Sequence, residues 1–420
     1  MSTLNNKILG LKCLVCGKEF DDAEYACPAC AGNLDVVYDY RTIAKAARRE
    51  DIAADPDDSI WRFSPILPVT SRAPRPSLKI GATPLARIPR LNDELGVPNL
   101  FFKDDTKLPS ASFKDRASSV TVAVGLEKGK TVFTTASTGN AGCALACMSA
   151  NMGVQSIILV PKSAPRAKIA QILLYGARVI AVNGSYDDAY DLSLEASRRF
   201  GWYNRSTGYN PYTREGKKTV SLEIAAQMDW DVPDYVFVPV GDGNILSGTW
   251  KGFVDLYQLK WTEKLPKLIT VQSDQSDAIT RSFEAARAAP APGAASAIKI
   301  IPVQATTIAD SISVDLPRDG VAAVRAIRDS HGDVVRVSDE EILNAIKHLA
   351  GKTGIFAEPA GAASFAGFLK LAQSGKLPAR AKVVCLVTGN GLKDIQSALK
   401  VAGTPEIINP QIAELQKIIR

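Results

Sequence analysis

The chain predicts an α/β fold of parallel sheets covered by helices, and three observations carry that expectation. From Gly81 onward, short apolar segments of strand length alternate with longer helical segments. Three of the apolar segments end in glycine turns that open helices, the usual form of a ligand crevice at the carboxyl edge of a parallel sheet. Ahead of this body, four of the seven cysteines fall within residues 13 to 30 and mark a separate small unit. Crossovers between the parallel strands are expected to be right-handed.

The small unit comes first. Cys13, Cys16, Cys27 and Cys30 form C-x2-C, a spacer of ten residues, and a second C-x2-C. Each pair presents two thiolates to one tetrahedral ion, and the spacer has the length of a short hairpin. Gly17 and Gly32 suit the tight turns involved. The pattern predicts a zinc ribbon holding a structural zinc, because four sulfurs leave no open position. Two disulfides are the rival reading, disfavoured for a chain expected in the cytoplasm. Ribbons also bind nucleic acid, which keeps a binding module open. Cys143, Cys147 and Cys385 lie in apolar runs and read as core.

Leu34 to Tyr38 reads as a strand and Ile43 to Arg49 as a helix. Asp55 to Ser77 is rich in Pro, Asp and Arg and is punctuated by Trp61, Phe63, Ile66 and Leu67. It reads as an extended arm that packs on the body or reaches a partner subunit. After the turn Gly81–Leu85, strands are expected at Asn99–Lys103, Thr131–Thr135, Ser156–Val160, Arg178–Val182, Tyr235–Val240, Leu268–Gln272 and Lys382–Thr388. Helices are expected at Lys114–Lys128, Asn140–Met152, Ala164–Tyr175, Tyr186–Phe200, Glu215–Met228, Ile245–Lys260, Gly320–Asp329, Ser338–Gly351 and Ala360–Gln373. Ala285–Ala297, rich in Ala and Pro, reads as a surface loop.

Composition excludes several classes. Hydrophobic residues make up 46% and charged residues 22%, enough for a substantial core. The +6 net charge is spread along the chain and does not form the basic patch of a nucleic-acid binder. No run of about 18 apolar residues suggests a membrane span, and the first residues lack a signal-peptide layout. With only His331 and His348, both in polar surroundings, histidine-dependent catalytic triads have little to draw on.

Three strand-to-turn stretches and one lysine carry the chemistry. Lys114, in Ser112-Phe113-Lys114-Asp115-Arg116, opens a helix behind a Pro/Ser/Ala turn. An amine bonds an aldehyde only when deprotonated, and a partly desolvated helix start lowers its pKa. On its own stretch Lys114 reads as a surface charge in a first helical turn; with the cofactor-shaped stretches downstream it reads as a Schiff-base lysine for pyridoxal phosphate. Ser137-Thr138-Gly139-Asn140 offers hydroxyls, N–H groups and a helix start to a carboxylate. Gly241-Asp242-Gly243-Asn244 suits one phosphate monoester, with glycines that let the backbone come close. Thr388-Gly389-Asn390-Gly391-Leu392-Lys393-Asp394 is the third turn, where Thr388 can point a hydroxyl into the crevice.

With these stretches in this order, the chain resembles the threonine synthases and their close relatives among the fold type II pyridoxal phosphate enzymes. The resemblance runs from the cysteine knuckles to about Leu399 and includes Glu358-Pro359-Ala360, similar to the family's E-P-A helix start. It implies a tryptophan synthase β-like body of two parallel-sheet subdomains, assembled as a homodimer in the cytoplasm. It implies that Lys114 holds the cofactor and shuttles protons. Asn140 would hold the phenolic oxygen of the cofactor, Gly241, Asp242, Gly243 and Asn244 its phosphate, and Thr388 would face its pyridine nitrogen. Ser137, Thr138 and Gly139 would take the substrate carboxylate, and Arg214 would help grip the substrate phosphate. The implied layout is a ribbon at 1–40, an arm at 41–80, a catalytic body at 81–402 with its smaller subdomain near 115–212, and a tail at 403–420. The implied reaction converts O-phosphohomoserine and water to threonine and phosphate.

The sequence departs from the family pattern at several points. Ser110-Ala111 stands where the family usually has Thr-Gly, and Ala141 where a hydroxyl residue is frequent. The glycine loop reads Gly241-Asp242-Gly243-Asn244 where the family usually has G-N-x-G-N. Within Gly208–Gly216 the arginine of S-x-N-P-x-R-x-E-G is displaced by one residue, to Arg214, with Arg205, Lys217 and Lys218 as further cations nearby. A related β-eliminating or β-replacing enzyme, such as a serine/threonine dehydratase or a cysteate synthase, is the alternative. A non-catalytic binding protein on this fold is the other.

Overall fold

The computed structural model describes residues 7–21, 25–164, 166–288, 298–378 and 380–419. Among them are three sheets. The N-terminal sheet has strands β1 (Ile8–Cys13), β2 (Glu19–Phe20) and β3 (Leu34–Tyr38), antiparallel in the order β2-β1-β3. The next strands are β4 (Leu85–Arg87), β5 (Leu100–Asp104), β6 (Val132–Ala136), β7 (Gln155–Pro161), β8 (Arg178–Val182) and β9 (Tyr203–Asn204). They are followed by β10 (Tyr235–Pro239), β11 (Lys267–Ser273), β12 (Asp333–Val337) and β13 (Val383–Val387). A six-stranded sheet runs β12-β11-β10-β13-β5-β4, parallel except for β4. A four-stranded sheet, β8-β7-β6-β9, is parallel throughout. The expected α/β class with two parallel sheets is therefore present.

The central strands are fully apolar because helices cover both faces. Val383 to Val387 is buried at every position, as are Val236 to Pro239. β12 was absent from the sequence expectation. It is a half-exposed edge strand squeezed between two helices, and Asp333 and Arg336 interrupt its apolar pattern. β9 is only two residues long and has no pattern to read.

Several expected boundaries shift. The Ile43–Arg49 helix is two helices, Tyr40–Ala46 and Arg49–Ala54. The Glu215–Met228 helix is divided at Lys218 into Tyr212–Lys217 and Thr219–Gln227. Residues 285–288, expected in a loop, close the helix Ala278–Ala288, and the remainder of that expected loop, 289–297, lies outside the described residues. The arm does pack on the body: Trp61, Phe63, Ile66 and Leu67 are buried around a 3-10 segment, Ile60–Ile66. His348 is half-buried with its ring edge-on to Phe365, whereas His331 is exposed.

Candidate active site

Three loops meet where Lys114 sits. Ala111 has φ +63°, which reverses the chain after Pro109. Ser112 then bridges to Gly389, the Phe113 N–H donates to the Thr388 carbonyl at 2.9 Å, and the Asn390 N–H donates to the Ala111 carbonyl at 3.0 Å. The Glu358 N–H donates to the Gly389 carbonyl at 3.0 Å. A Cβ on Gly389 would lie 2.2 Å from Oε1 of Glu358, so a larger residue there would displace the Glu358 side chain. Lys114 is thereby placed beside Thr388 at the carboxyl end of β13.

The residues flanking Lys114 are structural. Asp115 accepts from the Ser110 N–H at 2.7 Å and from its hydroxyl at 2.5 Å, which closes the preceding turn. Arg116 is fully buried against Asp105 and Glu223, with Lys103 on the same glutamate. These pairs compensate buried charge inside the fold and lock the start of the Lys114–Glu127 helix.

A cavity of about 660 Å3 opens above Lys114, between the carboxyl ends of β6 and β10. Ser137, Thr138, Gly139 and Asn140 line it, as do Gly241, Asp242, Gly243, Asn244 and Thr388. The sequence-predicted cofactor residues are thus in one place. The Gly241–Asn244 turn opens the helix Asn244–Gln258, whose first N–H groups have no intrahelical acceptor. A Cβ on Gly241 would lie 2.8 Å from Cα of Ile312, and Gly243 has φ +89°.

Arg214 is the exception. It does not line the cavity but is buried facing the N-terminal sheet, bonded to Asp35 and Asp319. The one-residue displacement in the sequence is the cause, since one step along a helix turns a side chain by about 100°. Beside Lys114, and apart from Arg318 at the outer wall, the cations lining the cavity are instead Arg205 and Lys217. Both are buried, and among the described residues neither has a carboxylate within salt-bridge distance. Arg205 Nε donates to Ser118 and Nη1 to Thr207, while Nη2 has no partner.

Electrostatics follow from that burial. Burial lowers the Lys114 ammonium to about 8, the Arg205 charge adds to this, and Asp242 and Glu358 oppose it. Burial, then Lys114 and Arg205, push Lys217 well below the usual lysine range. Burial also brings Arg205 down to about 10. Glu358 is pushed up to about 7 by burial, against the pull of Lys393 and Lys114.

Sequence reasoning missed the outer wall of the cavity. Tyr186, Asp187 and Tyr190 come from one helix, and Ser311 and Arg318 from the 310–318 segment. Arg318 spans the mouth, with Nη2 3.0 Å from Asp187 and its guanidinium over the Tyr190 ring. The 310–318 segment is irregular apart from one 3-10 turn, so no periodicity announced it.

These residues fit pyridoxal phosphate. An amine with a lowered pKa, a glycine cradle at a helix start and a buried guanidinium nitrogen without a partner are what an aldehyde-bearing phosphate monoester needs.

Near the N-terminus, Cys13, Cys16, Cys27 and Cys30 hold their sulfurs within 4.8 Å of one another. The Cys13–Cys30 and Cys16–Cys27 sulfur pairs are 3.5 and 3.6 Å apart. A tetrahedral site with Zn–S bonds of about 2.3 Å has edges of about 3.8 Å, so the cluster fits such an ion. Cys143, Cys147 and Cys385 are buried, as a core role requires.

Comparison with known proteins agrees with this geometry. The model of the family described as "Pyridoxal-phosphate dependent enzyme" matches residues 76–389. The chain is 37% identical over 413 residues to a threonine synthase of Methanocaldococcus jannaschii, covering 97% of this chain and 99% of the relative. A threonine synthase of Methanosarcina acetivorans is 36% identical, with coverage of 97% and 98%. Among solved structures, the processed threonine deaminase isoform 2 of Solanum lycopersicum shares the fold, with a TM-score of 0.66, 22% identity and coverage of 87% and 88%. Among the described residues no helix is long and apolar enough to cross a membrane. The lysine at the carboxyl edge of the sheet, the glycine cradle beside it and the full-length match together place this chain in the pyridoxal-phosphate dependent enzyme family, among the threonine synthases.

Proposed function

We propose that the chain converts O-phosphohomoserine and water to threonine and phosphate, with Lys114 as its catalytic base. The observation that carries this reading is the pair of buried cations, Arg205 and Lys217, in the same cavity as Lys114, neither of which has a carboxylate within salt-bridge distance among the described residues. Buried charge of one sign is costly unless a ligand of the other sign completes it.

When bound at Lys114, pyridoxal phosphate supplies an electron sink next to its aldehyde carbon. The remaining roles belong to the chain. Ser137, Thr138 and Gly139 hold the substrate carboxylate at the start of the Asn140–Asn151 helix. The Gly241–Asn244 turn would hold the cofactor phosphate and Asn140 its phenolic oxygen, with Thr388 offering a hydroxyl to its pyridine nitrogen. Burial and the Arg205 charge lower the Lys114 ammonium and so favour its neutral amine, whose Nζ removes the α-proton of the substrate. Arg205 and Lys217 bind the substrate phosphate and favour its departure as a dianion. Tyr190 and the Arg318–Asp187 bridge limit access of bulk water at the mouth.

Beyond the reaction, we propose a structural zinc on Cys13, Cys16, Cys27 and Cys30, the ribbon, arm, body and tail divided as expected from the sequence, and a cytoplasmic homodimer. Exposed Leu392, Ile395 and Leu399 form apolar surface of the kind a subunit contact covers. Metal analysis tests the first point: Cys13→Ser should lose the zinc, and unchanged zinc would reject the four-cysteine site.

The reaction is tested by phosphate release from O-phosphohomoserine with identification of the amino-acid product, and with phosphoserine plus sulfite run in parallel. Equal amounts of phosphate and threonine support the reading. Turnover of phosphoserine with sulfite alone would assign the site to the β-replacing alternative.

A further inference from the structure

The N-terminal sheet does not hang from the body; its tip grips the segment that holds the glycine turn. Asn33 lies three residues after Cys30, and its backbone is tied to the other knuckle by the Leu14 N–H, 2.9 Å from the Asn33 carbonyl. Nδ2 of Asn33 donates to the carbonyls of Gly208 and Arg318, the latter at 2.9 Å. Gly208 has φ +75°, and a Cβ there would lie 2.8 Å from Arg318, so the two strands of chain under Asn33 are in close contact. The segment Asn33 holds is in turn bonded to the glycine turn. The Arg318 N–H donates to the Asp242 carboxylate at 3.2 Å, and the Asp319 N–H donates to the Asp242 carbonyl at 2.9 Å.

A second path runs from β3. Asp35 accepts from Arg214 at 2.8 Å and from Lys251 at 3.0 Å. Burial resists ionisation of Asp35, but Lys251 and Arg214 outweigh it and hold its carboxyl at about 2. The other arm of Arg214 reaches Asp319, whose second oxygen accepts from Asn244 Nδ2 at 2.7 Å and from the Ser247 hydroxyl at 2.5 Å. Asn244 is the first residue of the helix whose start forms the cradle. Asp319 is fully buried, so a bond lost at its carboxylate is not replaced by one to bulk water.

We propose that the cysteine ribbon is a brace for the phosphate cradle, in which Asn33 and Asp35 are positioning residues for Gly241–Asn244 and metal loading of the four-thiolate site tightens cofactor binding. The inference rests on the reading that pyridoxal phosphate seats its phosphate on that turn. A tetrahedral thiolate-bound ion fixes the two knuckles relative to each other. Asn33 and β3 are thereby ordered, and the bonds to Arg318, Asp319 and Arg214 carry that order to the turn. Binding then loses less entropy in arranging the N–H groups for the phosphate. Coupling of this kind is reciprocal, so bound cofactor should also slow loss of the metal.

The test uses the full chain and measures the Kd for pyridoxal phosphate by spectroscopic titration, with the protein zinc-loaded and then stripped by a chelator. The same measurement is made on Asn33→Ala, Asp35→Asn, the double variant, and Asp35→Glu, with zinc content recorded for each. The expected result is a Kd at least about 10-fold weaker in wild type without zinc, and similarly weaker in each zinc-replete single variant. Asp35→Glu, which keeps the charge, should recover part of the loss. In the double variant, removing zinc should change the Kd little, because the route is already cut. Unchanged cofactor affinity in zinc-replete Asn33→Ala and Asp35→Asn would overturn the brace. So would a full zinc effect persisting in the double variant. Failure of the wild type to bind the cofactor at all would instead reject the functional reading itself, and the brace with it.

Discussion

Asn140 donates from Nδ2 to Oε1 of Glu358 at 2.7 Å, joining a helix of the four-stranded sheet to a helix of the six-stranded sheet across the floor of the cavity. The bond satisfies one oxygen of a carboxyl group that burial has pushed up to about 7. It also places a titrating acid beside Asn140, within the electrostatic reach of Lys114.

The pH dependence of stability follows from that carboxyl. Its folded-state pKa lies above the ordinary 4.5, so the fold prefers the neutral form. The contribution is complete below 4.5 and is lost as pH rises through about 7, with a change of about 3 kcal/mol at most. Glu358→Gln keeps an oxygen for Asn140 and removes the charge. Thermal unfolding of the cofactor-free protein should show the variant and wild type close at about pH 4 and the variant clearly more stable at about pH 9. An advantage that is the same at both pH values would contradict the assignment.

Arg205 and Lys217 should show opposite effects on stability and on function. Replacing either by methionine removes a buried charge that has no carboxylate within salt-bridge distance among the described residues, which should leave Tm unchanged or raise it. The same change should raise KM for the phosphorylated substrate about 10- to 100-fold, the usual worth of a charge-assisted bond to phosphate. Arg205→Met should also raise the Lys114 pKa above about 8, because the Arg205 charge adds to burial in lowering it. The pH dependence of cofactor capture measures that shift. A midpoint that moves down would contradict the placement.

Ala111 holds φ +63°, a backbone region in which an L residue is strained. Ala111→Gly relieves the strain at the cost of a more flexible unfolded chain, so the gain should be small, up to about 1 kcal/mol. Chemical denaturation of the two proteins measures it. A loss of stability similar to that of glycine in a helix interior would show that the turn is not as described.

What was legible in the sequence was local. A strand, a glycine turn and a helix are neighbours in the chain, so the turns after β6, β10 and β13 were readable before any tertiary structure. Lys114 was readable for the same reason. What could not be read was the direction of a side chain on a short helix. Arg214 looked like the family arginine displaced by one residue, yet it turns to Asp35 and leaves the cavity to Lys217, three residues on. Arg205 reads as an ordinary charge after a two-residue strand, and its burial comes from contacts with Ser118 and Thr207. The bonds of Asn33 span 175 and 285 residues of chain, and no sequence pattern encodes such a separation.

The central claim is that Lys114, set in a cavity that lowers its pKa, is the residue that bonds the cofactor. The most direct measurement is borohydride reduction of the pyridoxal phosphate-loaded protein followed by peptide mass analysis. One pyridoxyl modification is expected, on the peptide carrying Lys114, and none in Lys114→Ala. Stable modification of Lys217 or Lys393 in its place, or no modification of loaded wild type, would contradict it.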